Sequence, residues 1–245
     1  LEVRVRAMDM VYYELKDSLK DDACPICVLI NRNVDNFIDA LLYESVNDIK
    51  IRKDINDSKG YCNYHAWKLQ SFGDPLAHAI IYSDLIVSLI HEIDVFLKEV
   101  KFYQGVENFF GIKKENRKSL KRFKDYFVSN SDCPICSMVR DWEKEYILSF
   151  VEYMEKDREF KEKFKTEGFL CVPHMFKLLE HCRIRSAVKE IMAVQLDKYK
   201  KLLNLLNEIK RKSDYRFVNE PKSDEEKVAW IRAVEKWVGI PGIKK

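Results

Sequence analysis

The stretch CPIC occurs twice, at Cys24–Cys27 and Cys133–Cys136, and each copy is followed at the same distance by a CxxH pair. Cys24 to Cys62 is 38 positions, as is Cys133 to Cys171, and His65 and His174 each stand three residues beyond that later cysteine. One shift of 109 positions therefore carries Cys24, Cys27, Cys62 and His65 onto Cys133, Cys136, Cys171 and His174. Apolar positions obey the same shift: Ile26 falls on Ile135, Ile38 on Ile147, Leu41 on Phe150, Leu42 on Val151 and Leu69 on Leu178. The glycine near each CxxH does not, since Gly60 lies two residues before its cysteine and Gly168 three before. Duplication of one structural unit is the simplest account of the rest.

Two tight pairs separated by a long loop are what a tetrahedral metal site requires. In a CxxC turn two sulfurs aim at one point, and proline after the first cysteine stiffens the turn. In a CxxH that opens a helix, the two side chains lie one helical turn apart. The expected arrangement is one CxxC…CxxH site per repeat, each CPIC closing on the CxxH that follows it. Three thiolates and one neutral imidazole suit Zn²⁺ and fill its shell, which reads as two structural ions per chain. Iron or an iron–sulfur cluster is the alternative for the same ligands. CPIC also resembles the CPxC of glutaredoxin-like redox enzymes, but that reading leaves the matched CxxH unexplained. Cys182 has no counterpart in the first repeat and is expected to be a half-buried apolar residue.

The composition supports an all-α fold. The 245 residues include only seven Gly and six Pro, with 47% hydrophobic and 34% charged residues. From Ile26 the apolar positions Ile30, Val34, Phe37, Ile38, Leu41 and Leu42 recur with helical spacing, and Ile135 to Met154 repeats the pattern. A helix is expected over 7–20, ending at the first CPIC, and a strand is signalled only by the opening LEVRVR. Long helices are expected over 74–103, with an apolar face of Ile81, Leu85, Leu89, Ile93, Phe96 and Val100, and over 183–212, with a face of Val188, Met192, Leu196, Tyr199, Leu203 and Leu206. Both faces need a partner, so one shared bundle is expected. A last helix begins at a Ser223/Glu226 capping box, ends at Gly239, and would dock through Val228, Ile231, Val234 and Trp237. The organisation is then a first metal-binding repeat over 1–110, a second over 111–212, and a C-terminal loop and helix over 213–245.

Lys+Arg at 43 and Asp+Glu at 40 nearly cancel, so charge alone demands no nucleic acid. The most apolar stretch, 76–97, is broken by His78, Asp84, His91, Glu92 and Asp94, so no membrane insertion is expected. No secretory signal is read, and a cytoplasmic setting is expected, where stable disulfides are uncommon. One basic run, Lys113, Lys114, Arg117, Lys118, Lys121, Arg122 and Lys124, lies beside Phe123 and Phe127. A second comprises Lys198, Lys200, Lys201, Lys210, Arg211 and Lys212. Either is a candidate for tracking an RNA backbone, set against the plainer reading of a solvated helix face. In the tail, Tyr215, Arg216, Trp230 and Arg232 are the residue types that anchor interfaces, or else they latch the last helix. His78 and His91 have no duplicated counterparts and are expected at the surface or half-buried. No P-loop, GxGxxG or GxSxG accompanies them.

With its CPIC…CxxH pairs and the segment YRFVNEPKSDEEKVAWIRAVEKWVG, the chain from about Cys24 to Gly239 resembles a family of uncharacterised bacterial and archaeal proteins with duplicated CPxC…GxCxxH units. That resemblance implies no activity, and it implies that Cys24, Cys27, Cys62, His65, Cys133, Cys136, Cys171 and His174 act as one ligand set. The expected function is an intracellular scaffold or adaptor for a protein or ribonucleoprotein partner, without catalytic residues. The competing class is a redox, sulfur or metal transfer protein working through its CPIC thiols.

Overall fold

In a computed structural model of the chain, residues 2–21, 23–104, 115–127 and 132–241 are described, and every regular element among them is helical. The first repeat contributes α1 (Glu2–Ser18, extended by a 3₁₀ turn, Leu19–Asp21), α2 (Pro25–Ala40, running into a π-helical turn, Leu41–Ser45), α3 (Ile49–Asp57), α4 (Asn63–Ser71) and α5 (Pro75–Gln104). The second contributes α6 (Glu115–Phe127), α7 (Pro134–Lys156), α8 (Arg158–Glu167), α9 (Val172–His181) and α10 (Arg185–Lys212), and α11 (Asp224–Val238) follows. The 109-position shift superposes the five helices of one repeat on the five of the other, in order. LEVRVR is not a strand; residues 2–6 belong to α1.

Local chemistry sets the helix starts. Pro25 and Pro134 open α2 and α7, where an absent N–H costs nothing and the fixed φ suits the helix. Cys62 and Cys171 are the N-cap residues of α4 and α9, with extended backbone at φ −64°, ψ 161° and φ −71°, ψ 157°. Asp48 and Asp157, again 109 apart, cap α3 and α8: Asp48 accepts from the Lys50 and Ile51 N–H groups, and Asp157 from that of Phe160. The two loop glycines do different work. Gly60 sits at φ +94° after Lys59 at φ +58°, a left-handed pair. Gly168 keeps an ordinary φ of −64°, but a Cβ there would come within 2.0 Å of the fully buried Phe164 ring.

The chain divides into two compact units, Leu1–Asn33 with Arg140–Lys245, and Val34–Val139. The first is centred on Phe150, whose ring meets Phe160 and Phe164 edge-on at centroid distances of 5.1 and 5.4 Å, and it buries Leu15, Leu19, Ile26, Met154 and Ile191. The second buries Ile38, Leu41, Ile55, Leu69 and Ile135, and packs α5 against α6. There Phe96 lies 5.2 Å from Phe123, and Arg122 pairs with Glu92 and Glu99, each at 3.1 Å. The long helices α5 and α10 fall in different units, and α10 packs chiefly with α11.

Two apolar faces differ from those expected. On α10 the buried positions are Ala187, Ile191, Gln195 and Lys212, while Met192, Leu196 and Leu203 are exposed. The face turns because the Gln195 side chain is needed inside, accepting a hydrogen bond from the Leu170 N–H at 3.0 Å. On α11 the buried residues are Glu226, Ala229 and Lys236, while Trp230, Ile231, Val234 and Trp237 are exposed. A buried ion pair sets that orientation: Lys212 Nζ meets both Glu226 carboxylate oxygens at 2.8 and 2.9 Å and also donates to the Pro221 carbonyl at 2.8 Å. Glu226 closes the capping box as well, its Oε2 accepting from the Ser223 N–H at 3.1 Å while the Ser223 hydroxyl accepts from the Glu226 N–H at 3.2 Å.

The Lys212 ammonium holds the Glu226 carboxyl below its ordinary pKa, with burial opposing. A carboxylate depressed on folding stabilises above its unfolded pKa and loses that contribution as pH falls through the folded value. Glu226→Gln is therefore expected to melt several degrees below the unmodified chain at pH 7. The difference should shrink towards zero as pH falls below about 4, the ordinary glutamate range. Thermal unfolding followed by circular dichroism across that range checks it.

Candidate metal centres

The eight candidate ligands assemble into two groups, and each group draws on both repeats. Cys24, Cys27, Cys171 and His174 form one, and Cys62, His65, Cys133 and Cys136 the other, with ligand atoms in each group all within 4.8 Å of one another. Every CPIC therefore closes on the CxxH of the other repeat, not on its own as expected. Helix length gives the reason. From its CPIC the chain runs along α2 and the π turn, or along α7, for about 30 Å or more at 1.5 Å per residue. The helix that follows, α3 or α8, returns only about 14 Å before the next CxxH begins.

One local device supplies all four pairs. The first cysteine of each pair stands at a helix start, and the second ligand lies three residues on, in the first turn. The backbone confirms it: the carbonyls of Cys24, Cys62, Cys133 and Cys171 accept from the N–H groups of Val28, Ala66, Ser137 and Met175 at 2.8–3.1 Å. Both side chains of a pair project from the same end of the helix, and each cluster sits at two helix N-termini. The positive ends of those two helix dipoles point into each cluster.

In the first cluster His174 Nδ1 lies 3.3, 3.2 and 3.3 Å from the sulfurs of Cys24, Cys27 and Cys171, and the Cys27 and Cys171 sulfurs are 3.6 Å apart. In the second, His65 Nδ1 lies 3.3, 3.3 and 3.6 Å from Cys62, Cys136 and Cys133, with Cys62 and Cys136 3.6 Å apart. A tetrahedron around an ion with bonds of about 2.3 Å to sulfur and about 2.0 Å to nitrogen has edges of about 3.5–3.8 Å. Both clusters fit such an ion to within a few tenths of an ångström, and none of the seven cysteines is in a disulfide. Each could hold one metal ion.

The surroundings of the two clusters differ. All four ligands of the first are buried. His174 turns Nε2 to Glu143 at 2.9 Å, and Lys177 grips that carboxylate at 2.7 Å to each oxygen, which fixes the imidazole with Nδ1 towards the sulfurs. Gln195 and Tyr199 of α10 hold both backbone groups of Leu170, beside Cys171: Leu170 N–H donates to Gln195, and Tyr199 hydroxyl donates to the Leu170 carbonyl at 3.3 Å. Burial resists charging His174, but the Cys24 thiolate and Glu143 carboxylate overcome it and hold its pKa well above the ordinary value. Lys236 is buried over the Phe169 ring at 3.8 Å; burial pushes its pKa down to about 8, with the Cys24 charge opposing. In the second cluster Cys62 and Cys133 are half-buried, and the 109-position counterparts of Gln195 and Tyr199 are Ile86 and Ile90, both exposed. The lysine is kept: Lys68, counterpart of Lys177, pairs with Asp35 at 2.7 Å.

The other candidates are dispersed. Lys113 and Lys114 lie outside the described residues, as does the Arg117 side chain. Lys118 and Lys121 are exposed on α6, where Arg122 is committed to α5. The second basic run divides: Lys200 is exposed, Arg211 pairs with Glu208 and Glu220, and Lys212 is buried against Glu226. Tyr215 is exposed, Arg216 pairs with Asp214 at 2.8 Å, Trp230 is exposed, and Arg232 lines a cleft with Lys198 and Lys201. His78 is half-buried, its Nδ1 2.8 Å from the Asp74 carbonyl, and His91 is exposed. Cys182 is half-buried, and burial with the nearby Glu155 charge pushes its thiol up, away from thiolate reactivity. The residues sequence reasoning misses are Glu143, Lys177, Gln195 and Tyr199. Only the lysine leaves a trace, three positions after each histidine.

A family model described as "Family of unknown function (DUF6062)" matches residues 9–242, and the chain belongs to that family. It is also 36% identical, over 220 residues, to the "Uncharacterized 23.9 kDa protein in xynA 3'region" of Caldicellulosiruptor sp. (strain Rt8B.4), an alignment covering 89% of this chain and 96% of the relative. No solved structure matches.

Crossed pairing has a direct signature. Cys24→Ser opens the cluster containing Cys171, so Cys27 and Cys171 should become alkylatable in the native protein while Cys62, Cys133 and Cys136 stay protected. Pairing within repeats would instead release Cys62. In the unmodified chain, Cys62 and Cys133 should be alkylated before Cys24, Cys27 and Cys171, by about tenfold or more in rate given their exposure. Mass spectrometry of timed iodoacetamide reactions reads both.

Proposed function

We propose that this member of the family is a zinc-stapled helical scaffold or adaptor for a protein or ribonucleoprotein partner, with both metal sites structural. The observation that carries it is the buried first cluster, where four ligands, a histidine fixed by Glu143 and a covered Leu170 backbone leave no open position for substrate. A bound Zn²⁺ would supply no catalytic step there; it would cross-link two helix starts distant in sequence. Three cysteines and one histidine per site favour zinc over a hard ion such as Mg²⁺. Seven cysteines without a disulfide fit a reducing, cytoplasmic setting. Among the described residues, no helix is long and apolar enough to cross a membrane.

The exposed tryptophans of α11, Trp230 and Trp237, and the exposed Tyr215 support recognition of a protein partner. Lys118 and Lys121 remain available for RNA. The half-buried sulfurs of Cys62 and Cys133 favour the second reading, thiol-based redox, sulfur or metal transfer, at that cluster alone.

Elemental analysis of natively purified protein, joined to thiol counting, separates the readings. The structural reading expects about two zinc per chain, six protected thiols, and melting on chelation. Iron, or a cluster that exchanges metal or forms a disulfide within minutes, would support the second reading. Ligand protonation competes with metal at every thiolate and imidazole of a site. Zinc release should therefore increase as pH falls, seen with a colorimetric zinc chelator. RNA binding through α6 should weaken steeply with salt and be lost on charge reversal at Lys118 and Lys121.

A further inference from the structure

α10 and α11 form an antiparallel hairpin fastened at both ends. The buried Lys212–Glu226 pair closes one, and at the other the Tyr199 hydroxyl lies 3.3 Å from the Lys236 carbonyl, sharing its one proton between that oxygen and the Leu170 carbonyl. Between the fastenings the helices part around a cleft of about 340 Å³. Its walls carry Lys198, Lys201, Arg232 and Lys236, with Glu225 as the acidic member. The remaining lining is apolar, from Phe169 and the leucines of α10.

Four basic side chains and one acidic one line the cleft in a chain whose charges nearly cancel. The Lys201 ammonium pairs with Asp197 at 2.9 Å, on an exposed stretch of α10. Lys198 donates to the Thr166 carbonyl at 3.0 Å, a neutral partner, and burial together with the Lys201 charge lowers its pKa. A dianion entering the cleft would relieve that repulsion. Guanidinium and ammonium groups converging from two helices suit a phosphoryl group, with arginine offering a planar fork. A cleft of this size accommodates a small molecule and is too confined for a polynucleotide strand, which needs an extended groove.

We propose that the α10/α11 cleft binds a small organic phosphate, its phosphoryl group held by Lys198, Lys201 and Arg232 and its apolar part resting on Phe169 and the α10 leucines. The proposal goes beyond the scaffold reading. A ligand bound across the hairpin would stiffen the tail whose outer face carries Trp230 and Trp237, joining occupancy of the cleft to presentation of that face.

The test is calorimetric titration of the metal-loaded full chain with phenyl phosphate, inorganic phosphate, phenol and a short oligouridylate, with zinc content measured for each protein. Phenyl phosphate is expected to bind at one site, about tenfold or more tighter than inorganic phosphate or phenol, since both halves of the cleft are used. Arg232→Ala and Lys201→Ala should each weaken it about tenfold, as expected for losing one charge-assisted contact. Glu225→Gln should tighten binding, and Lys200→Ala, on the exposed side of α10, should leave it unchanged. No saturable binding of phenyl phosphate, or binding indifferent to Arg232 and Lys201, would overturn the proposal. Equal affinity for inorganic phosphate would overturn the organic part, and oligouridylate binding without phenyl phosphate binding would replace the small molecule with RNA. Because zinc content is read separately, failure here leaves the metal assignment standing, and loss of zinc without loss of phosphate binding does the reverse.

Discussion

Each cysteine–histidine cluster joins two helix starts that the sequence holds far apart. In the first cluster the sulfur of Cys27 meets Nδ1 of His174 across 147 positions of chain. In the second the Cys62 and Cys136 sulfurs meet across 74. Closing loops of that length costs conformational entropy, and the cost grows only slowly with length. A tetrahedral ion binding several groups at once is well suited to offset it. The pairs themselves are local and cheap: an N-cap residue and a residue one turn on, repeated at α2, α4, α7 and α9. What is expensive is bringing two such pairs together, and that step defines which segments belong to which unit. Cys24 and Cys27 thus share a unit with Cys171 and His174, since Leu1–Asn33 groups with Arg140–Lys245.

The duplication preserved this device and little of its surroundings. Both histidines keep a lysine three residues on, paired with an acid: Lys177 with Glu143, Lys68 with Asp35. The acids are not at equivalent positions, so the ion pair has been kept while its carboxylate moved by one residue. Beyond it the copies part. Gln195 and Tyr199 tie α10 to the backbone at Leu170, whereas Ile86 and Ile90 at the same places on α5 face solvent. The loops before Cys62 and Cys171 also differ in backbone, left-handed at Lys59 and Gly60 and ordinary at Gly168. One cluster is consequently sealed and braced, and the other open at two of its sulfurs. The first shields all four of its ligands, and the second leaves the sulfurs of Cys62 and Cys133 half-buried.

Much of this was legible in the sequence, and the failures share a cause. The ligands, the helices that carry them and the capping box at Ser223 follow from spacing and side-chain type, which are local. The pairing of ligands does not, because identical spacing in both repeats makes pairing within and between repeats equivalent on paper; helix length decides it. The short helices α3 and α8 leave little trace in the sequence because their signal is a lone capping aspartate, Asp48 or Asp157. The buried faces of α10 and α11 were misassigned for one reason: polar residues occupy the interior. Gln195, Glu226 and Lys236 are core residues by burial and surface residues by type. Each earns its place through a partner elsewhere in the chain, and hydrophobic periodicity cannot see partners.

That inversion has a consequence for the tail. Because α11 is held by Glu226, Ala229 and Lys236, its tryptophans are left outside. A helix that needed only to latch could have buried Trp230 and Trp237 and gained the several hundred square ångströms of apolar contact such a pair supplies. This one is fastened instead by a buried ion pair, a device that stabilises less than apolar packing of equal volume but enforces a single orientation in systems where the matter has been tested. The orientation it enforces presents aromatic side chains outward on one face and lines the α10/α11 cleft with Arg232 on the other. Fixing the direction of α11 in this way keeps Trp230 and Trp237 outside, a loss of apolar packing that a simple C-terminal strap would not incur.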